Sequence, residues 1–211
     1  MEYNGINLTW LGHDSFKIRN GKTIYIDPYQ LSSDAEKADI IFITHEHFDH
    51  CSVEDLKLIS TPETIIIAPP DCQNKMSKID CKDIMTVEPG QTFRIGEIEV
   101  TTVPAYNTNK KFHPKENNWL GYVINIGGTR IYHAGDTDKI PEMNELKDID
   151  IALLPVSGTY VMTASEAAEA ANVINPKLAI PMHYNSIVGS EADAQKFKEL
   201  CDCEVKILEE G

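Results

Sequence analysis

The sequence predicts a mixed α/β domain of the α+β kind, in which strands dominate both halves of the chain and each half carries helices that must cover an outer face. Three observations predict it. The first third reads as short strands joined by tight turns, and the last third alternates amphipathic helices with apolar strands. The chain has 211 residues and no Pro/Ser/Gly-rich linker between its halves, so it reads as a single domain over residues 1–211.

The elements follow in order. Strands are expected at Leu8–Leu11, Ser15–Ile18 and Thr23–Ile26, with turns at Gly12-His13 and at Asn20-Gly21, a dipeptide favoured in tight hairpins. Ile40–Ile43 is a wholly apolar run between Asp39 and Thr44, the pattern of a strand buried on both faces. A helix starts after it, with Ser52 as N-cap and Asp55 three residues on. Further strands are expected at Thr64–Ile67, Glu97–Val103, Gly121–Ile126, Arg130–His133 and Ile151–Leu154, two of them joined at Gly127-Gly128.

Thr163 and Glu166 make a capping box ahead of the Ala-rich helix Ser165–Ile174, which stops at Asn175-Pro176 before the strand Lys177–Pro181. The helix Glu191–Leu200 and the strand Glu204–Leu208 close the chain. Gly21-Lys22-Thr23-Ile24-Tyr25-Ile26-Asp27 echoes Gly128-Thr129-Arg130-Ile131-Tyr132-His133, which leaves open either a duplicated β-rich unit or a chance likeness of two hairpins.

Composition narrows the function. Nineteen Lys+Arg against 33 Asp+Glu give a net charge of −14, which repels long polyanions and anionic membrane surfaces, so no extended nucleic acid and no membrane is expected as a partner. The opening residues show no basic stretch leading into an apolar one, and no apolar run approaches the roughly 18 residues that span a bilayer. Five scattered cysteines fit a reducing compartment, and a cytoplasmic location is expected.

The chemistry concentrates in Thr44-His45-Glu46-His47-Phe48-Asp49-His50, where three of the chain's seven histidines and a carboxylate follow the buried strand directly. Imidazole nitrogen and carboxylate oxygen suit zinc, manganese or iron, and their tight spacing lets alternate side chains face two neighbouring cations. His133-Ala134-Gly135-Asp136-Thr137-Asp138 and Pro181-Met182-His183-Tyr184 place two more metal-type residues, Asp136 and His183, just beyond strand ends. Trp119 and Tyr122 read as core residues, while Tyr160 and Tyr184 could line a pocket.

The ordered set, His45-x-His47-x-Asp49-His50 followed by Asp136 and His183, resembles the metallo-β-lactamase-fold hydrolases over essentially the whole chain. The likeness is to compact cytoplasmic members described as metal-dependent hydrolases, relatives of lactonases that open phosphorylated sugar lactones. It implies a four-layer αββα sandwich with two divalent metals, zinc first and manganese or iron as alternatives. His45 and His47 would hold one metal and Asp49, His50 and His183 the other, with Asp136 bridging. A metal-bound hydroxide would then cleave a small anionic ester, lactone or phosphodiester, with Asp49 as the catalytic residue that orients the water or takes its proton. The alternative is a non-catalytic metal-binding protein of the same fold.

One position departs from the resemblance. Where such relatives carry a histidine, this chain reads Val103-Pro104-Ala105-Tyr106-Asn107, and either the first metal has fewer ligands or His113 folds back to supply a nitrogen. Lys110, Lys111 and Lys115 concentrate positive charge beside it. Asn107, Lys110 and Lys111 are therefore candidates for contact with a small anionic substrate, the solvated loop being the plain alternative. Asp27 and His13 are candidates to orient the ligands, Asp27 by accepting a ring proton. The assembly state is left open.

Overall fold

Alternating and fully apolar β-branched runs make the central strands of the fourteen that the computed structural model, describing residues 1–211, gathers into two seven-stranded sheets. Residues 1–88 with 208–211 form one compact unit and residues 89–207 the other.

In the first unit the strands are β1 (Glu2–Tyr3), β2 (Ile6–Trp10), β3 (Phe16–Arg19), β4 (Thr23–Ile26), β5 (Ile40–Phe42), β6 (Ile65–Ala68) and β7 (Asp83–Thr86), paired in chain order. Pairing is antiparallel from β1 to β4 and parallel from β4 to β7. Helix α1 (Val53–Ile59) starts where expected, with Asp55 N donating to the Ser52 side chain. It buries Leu56 and Ile59 against Ile41, Ile43 and Ile66 of the sheet, and α2 (Gln73–Met76) adds Met76 to the same core. The last residues return here, since Gly211 N donates to Trp10 O.

The second unit repeats the plan. Its strands are β8 (Thr92–Ile95), β9 (Ile98–Pro104), β10 (Leu120–Ile126), β11 (Thr129–His133), β12 (Ile151–Pro155), β13 (Leu178–Met182) and β14 (Glu204–Val205). They too are antiparallel over the first four and parallel over the last four. Helix α3 (Ala164–Ile174) carries the expected capping box and ends on Asn175 in the left-handed region, at φ 52°. Its alanines bury one face, and α4 (Glu191–Leu200) lies beside it.

The echo between Gly21–Asp27 and Gly128–His133 falls on β4 and β11, the fourth strand of each sheet, so it marks a duplicated β-rich plan. Some expectations are corrected. The Asn20-Gly21 hairpin has a three-residue loop, because Arg19 pairs with Thr23, and only Gly21 of that dipeptide has a positive φ, whereas a two-residue loop of that kind needs both. The closing strand stops at Val205. The edge strands β1, β7 and β8 and the turn-rich segment Pro70–Met76 carry too few apolar residues to signal themselves.

Candidate metal centre

Each unit gathers imidazoles and carboxylates beyond its strand ends. In the first unit the organiser is Asp27, which follows β4 and is fully buried. Its φ of 45° is unusual for a residue with a Cβ, and it turns the chain sharply out of the strand. Asp27 Oδ1 accepts from Thr44 N at 2.8 Å and Oδ2 from Thr44 Oγ1 at 2.6 Å, which ties the end of β4 to the end of β5. The same Oδ2 lies 2.8 Å from His50 Nδ1.

Those contacts fix two tautomers. A carboxylate oxygen only accepts, so the His50 proton sits on Nδ1. The Thr44 hydroxyl spends its proton on Asp27 and faces His45 Nδ1 at 3.0 Å, so it accepts from His45 Nδ1–H. Both rings are therefore anchored through Nδ1 and present the Nε2 lone pair. His45 Nε2 stands 3.0 Å from His47 Nδ1, and His50 Nε2 stands 3.7 Å from Asp49 Oδ2. His13, at φ 49° in the turn after β2, places its Nε2 3.0 Å from the same Asp49 oxygen. Asp14 joins Asp27 and His50 in a buried group of candidate donors within 4.8 Å of one another.

The second unit centres on Asp136. Gly135, with φ 64°, lets the chain bend after β11, and Gly135 N closes the bend on His133 Nδ1 at 3.2 Å. Gly121 of β10 belongs to the same design, since a Cβ there would sit 2.8 Å from His133 O. Asp136 Oδ2 then lies 3.0 Å from His113 Nε2 and 3.4 Å from His183 Nε2. His183, at φ 61° after β13, has its Nδ1 2.9 Å from Ser157 Oγ.

His113 does fold back within its unit, and Asn107 is what holds it. Asn107 Oδ1 accepts from His113 N at 3.0 Å, and Asn107 N donates to His113 O at 2.7 Å. His113 Nδ1 meets two acceptors, Asn107 Oδ1 and Tyr160 O, each at 3.2 Å. The orientation of the Asn107 amide is set by its Nδ2, which donates to Asp138 Oδ1 and Tyr160 O. Nδ1 of His113 therefore carries the proton and Nε2 presents its lone pair towards Asp136.

Two of the residues expected to touch substrate have another part. Asn107 is buried with its amide spent inside the protein, and Lys110 Nζ is held by Asp138 Oδ1 at 2.6 Å and Asn109 Oδ1 at 3.0 Å. Lys115 is likewise matched, by Glu142 at 2.9 Å, while Lys111 is exposed. Trp119 and Tyr122 are core residues as expected. Sequence reasoning assigned no part to Thr44, Asp138, Ser157 or the Tyr160 carbonyl. Only Asp138, two residues from Asp136, carried any signal.

The donor chemistry fits divalent metal. Four buried rings present Nε2 with Nδ1 held by the protein, and they do so beside the carboxylates Asp49 and Asp136, the arrangement expected of imidazole ligands.

Two mixed sheets flanked by helices, with imidazoles and carboxylates collected at strand ends, define a metallo-β-lactamase fold. Residues 7–183 match the family described as the beta-lactamase superfamily domain. A UPF0173 metal-dependent hydrolase of Archaeoglobus fulgidus is 33% identical over 229 residues, 98% of this chain and 97% of its own. The crystal structure of a Parabacteroides distasonis protein superposes with a TM-score of 0.86 at 35% identity, covering 97% of this chain and 94% of that one. Igni18, a metallo hydrolase of Ignicoccus hospitalis, gives a TM-score of 0.77 at 26% identity over 98% and 96% of the two chains. The chain thus belongs to the metallo-β-lactamase superfamily, among its metal-dependent hydrolases. No helix is long and apolar enough to cross a membrane.

Proposed function

We propose that the whole chain acts as one hydrolase domain on a small ester, lactone or phosphodiester, through a centre for two divalent metals, zinc first. His45, His47, Asp49, His50, His113, Asp136 and His183 are its ligands. The observation that carries this reading is the shared presentation of the rings: in His45, His50, His113 and His183 the protein engages Nδ1 and turns Nε2 outward. A bound metal would polarise the substrate oxygen and make a water a nucleophile at neutral pH.

The protein's own groups supply the rest. Asp49 is the accessible carboxylate of its cluster, 13% exposed where Asp27 is fully buried, and His13 holds its Oδ2. The Asp49 carboxylate takes up the proton of the attacking water and returns it to the leaving oxygen. Asp27, locked by three contacts, keeps His50 in its tautomer directly and His45 through Thr44. With Lys110 and Lys115 matched internally, Lys111 is the loop cation that remains to attract a substrate anion.

Metal analysis joined to a hydrolysis screen tests the reading. About two metals per chain, with turnover of an ester, lactone or phosphodiester that Asp49→Ala abolishes, is expected. Less than one metal per chain, or full activity in Asp49→Ala, overturns it.

A further inference from the structure

Residues 107–113 form a closed loop of the second unit. Asn107 Oδ1 accepts from His113 N at 3.0 Å, and Asn107 N donates to His113 O at 2.7 Å. The buried Asp138 pins the rest, accepting from Thr108 N at 2.7 Å and from Lys110 Nζ at 2.6 Å. Lys111 and Phe112 lie between these fixed points, and both are exposed. With the chain held on either side of it, the Phe112 ring cannot swing into the core, and it stays 50% exposed.

That ring rests on the segment that holds two of the candidate ligands. Phe112 meets Tyr160 edge-to-face, with centroids 4.7 Å apart and planes at 83°. Tyr160 O accepts from His113 Nδ1 at 3.2 Å and from Asn107 Nδ2 at 2.8 Å, while Ser157 Oγ lies 2.9 Å from His183 Nδ1. Ser157 is bridged to Thr163, and Gly158 N donates to Met162 O at 2.9 Å, so the segment is itself a closed turn. A rigid aromatic surface therefore stands directly beside His113. The placement is selective among the six phenylalanines, of which Phe16, Phe42 and Phe197 are buried and Phe93 half-buried. The other exposed one, Phe48 at 65%, sits between His47 and Asp49 and meets Tyr29 edge-on at 5.9 Å. Both exposed phenylalanines thus adjoin candidate ligands, and each is propped by a tyrosine.

We infer that, in the hydrolase proposed above and on which this rests, the substrate carries an alkyl or aryl group that packs on Phe112 and Tyr160. An edge-to-face neighbour covers one side of a ring and leaves the rest in water, where an apolar group gains by covering it. Small-molecule sites are lined mainly by apolar and aromatic side chains, with few polar groups to fix orientation. Lys110 is matched by Asp138 and Lys115 by Glu142, so the exposed part of this loop offers a hydrocarbon surface with Lys111 as its one unmatched cation. That balance favours an ester or lactone with an apolar body over a highly charged one.

The test uses the full chain loaded with zinc and carrying 4-fluorophenylalanine, with the Phe112 fluorine signal identified by its loss in Phe112→Leu. The ether 2-butyltetrahydrofuran, which hydrolysis cannot open, is expected to move that signal saturably, and tetrahydrofuran at the same concentrations is not. This arm needs no turnover, so it is independent of the hydrolase. In kinetics, γ-octalactone, which carries a butyl group, should exceed γ-butyrolactone in kcat/KM by about tenfold or more. Phe112→Ala should bring the two within about threefold of each other through KM, with zinc content unchanged. A Phe112 signal that stays still, or equal kcat/KM for the two lactones, overturns the inference. Loss of zinc in Phe112→Ala also overturns it, because the ring would then be a prop for His113. Signal movement without turnover of any ester, lactone or phosphodiester would remove the hydrolase and keep the apolar site.

Discussion

The two units share one strand order and differ in how they spend their strand ends. In the first, one loop after β5 concentrates His45, His47, Asp49 and His50, and a single carboxylate, Asp27, orders it from the neighbouring strand. In the second, Asp136, His113 and His183 come from three separate places, and each is steadied locally, by a glycine bend, by Asn107 and by Ser157. The plans even align in detail, since His13 and Asn107 each sit three residues past the end of the second strand of their sheet. His13 there braces Asp49, and Asn107 braces His113. A duplicated scaffold thus supports one concentrated and one distributed set of imidazoles and carboxylates. The concentrated set depends on one buried carboxylate, while the distributed set has separate points of failure.

The largest expected effect follows from that dependence. Asp27→Ala strands Thr44 N, Thr44 Oγ1 and His50 Nδ1 in a buried site, and should cost roughly 3–5 kcal/mol in urea or thermal unfolding. A loss below about 1 kcal/mol would show that the first unit has no such single organiser.

A smaller effect tests the distributed side. Asn107→Ala removes one of the two acceptors that hold the His113 ring and the side-chain acceptor of His113 N, and metal affinity measured by calorimetry should fall about 10–100-fold. Asn107→His combined with His113→Ala should recover much of the affinity that His113→Ala alone loses. Failure of that rescue, with the fold intact by circular dichroism, would mean that position 107 cannot exchange roles with 113.

The smallest effect concerns the thiols, where the units also differ. In the first unit Cys51 and Cys72 are buried and Cys81 is partly exposed, whereas in the second both Cys201 and Cys203 are partly exposed. A hydrogen bond from Cys201 lowers the Cys203 thiol to about 7. Thiolate is the reactive form, so iodoacetamide should label Cys203 ahead of Cys51 and Cys72 at pH 7.5 and more slowly at pH 6. Peptide mass spectrometry reads the order, and prior labelling of Cys51 would reverse the contrast.

The same contrast explains what was legible in the sequence. The dense His45–His50 loop announces itself because so many ligand-type side chains in six positions have few structural uses, and strong periodicity placed α3, α4 and the central strands within a residue or two. The distributed half was harder. Asn107 looked like a missing ligand, and only the fold shows its amide clamping the histidine six residues on. Lys110 looked like an anion contact because Asp138, its buried partner, lies 28 residues away in sequence. Short edge strands such as β1 and β8 gain their conformation from a neighbouring strand, so local pattern carries little of it.

The most direct measurement is a zinc titration of ¹⁵N-histidine-labelled protein, followed through the ring nitrogens. His45, His50 and His113 are expected to begin with the proton on Nδ1, and zinc should shift Nε2 of His45, His50, His113 and His183 together while leaving their Nδ1 sites bonded to the protein. Zinc binding that leaves His113 Nε2 unmoved would contradict the assignment of His113 as the ligand that stands in for a histidine at position 107.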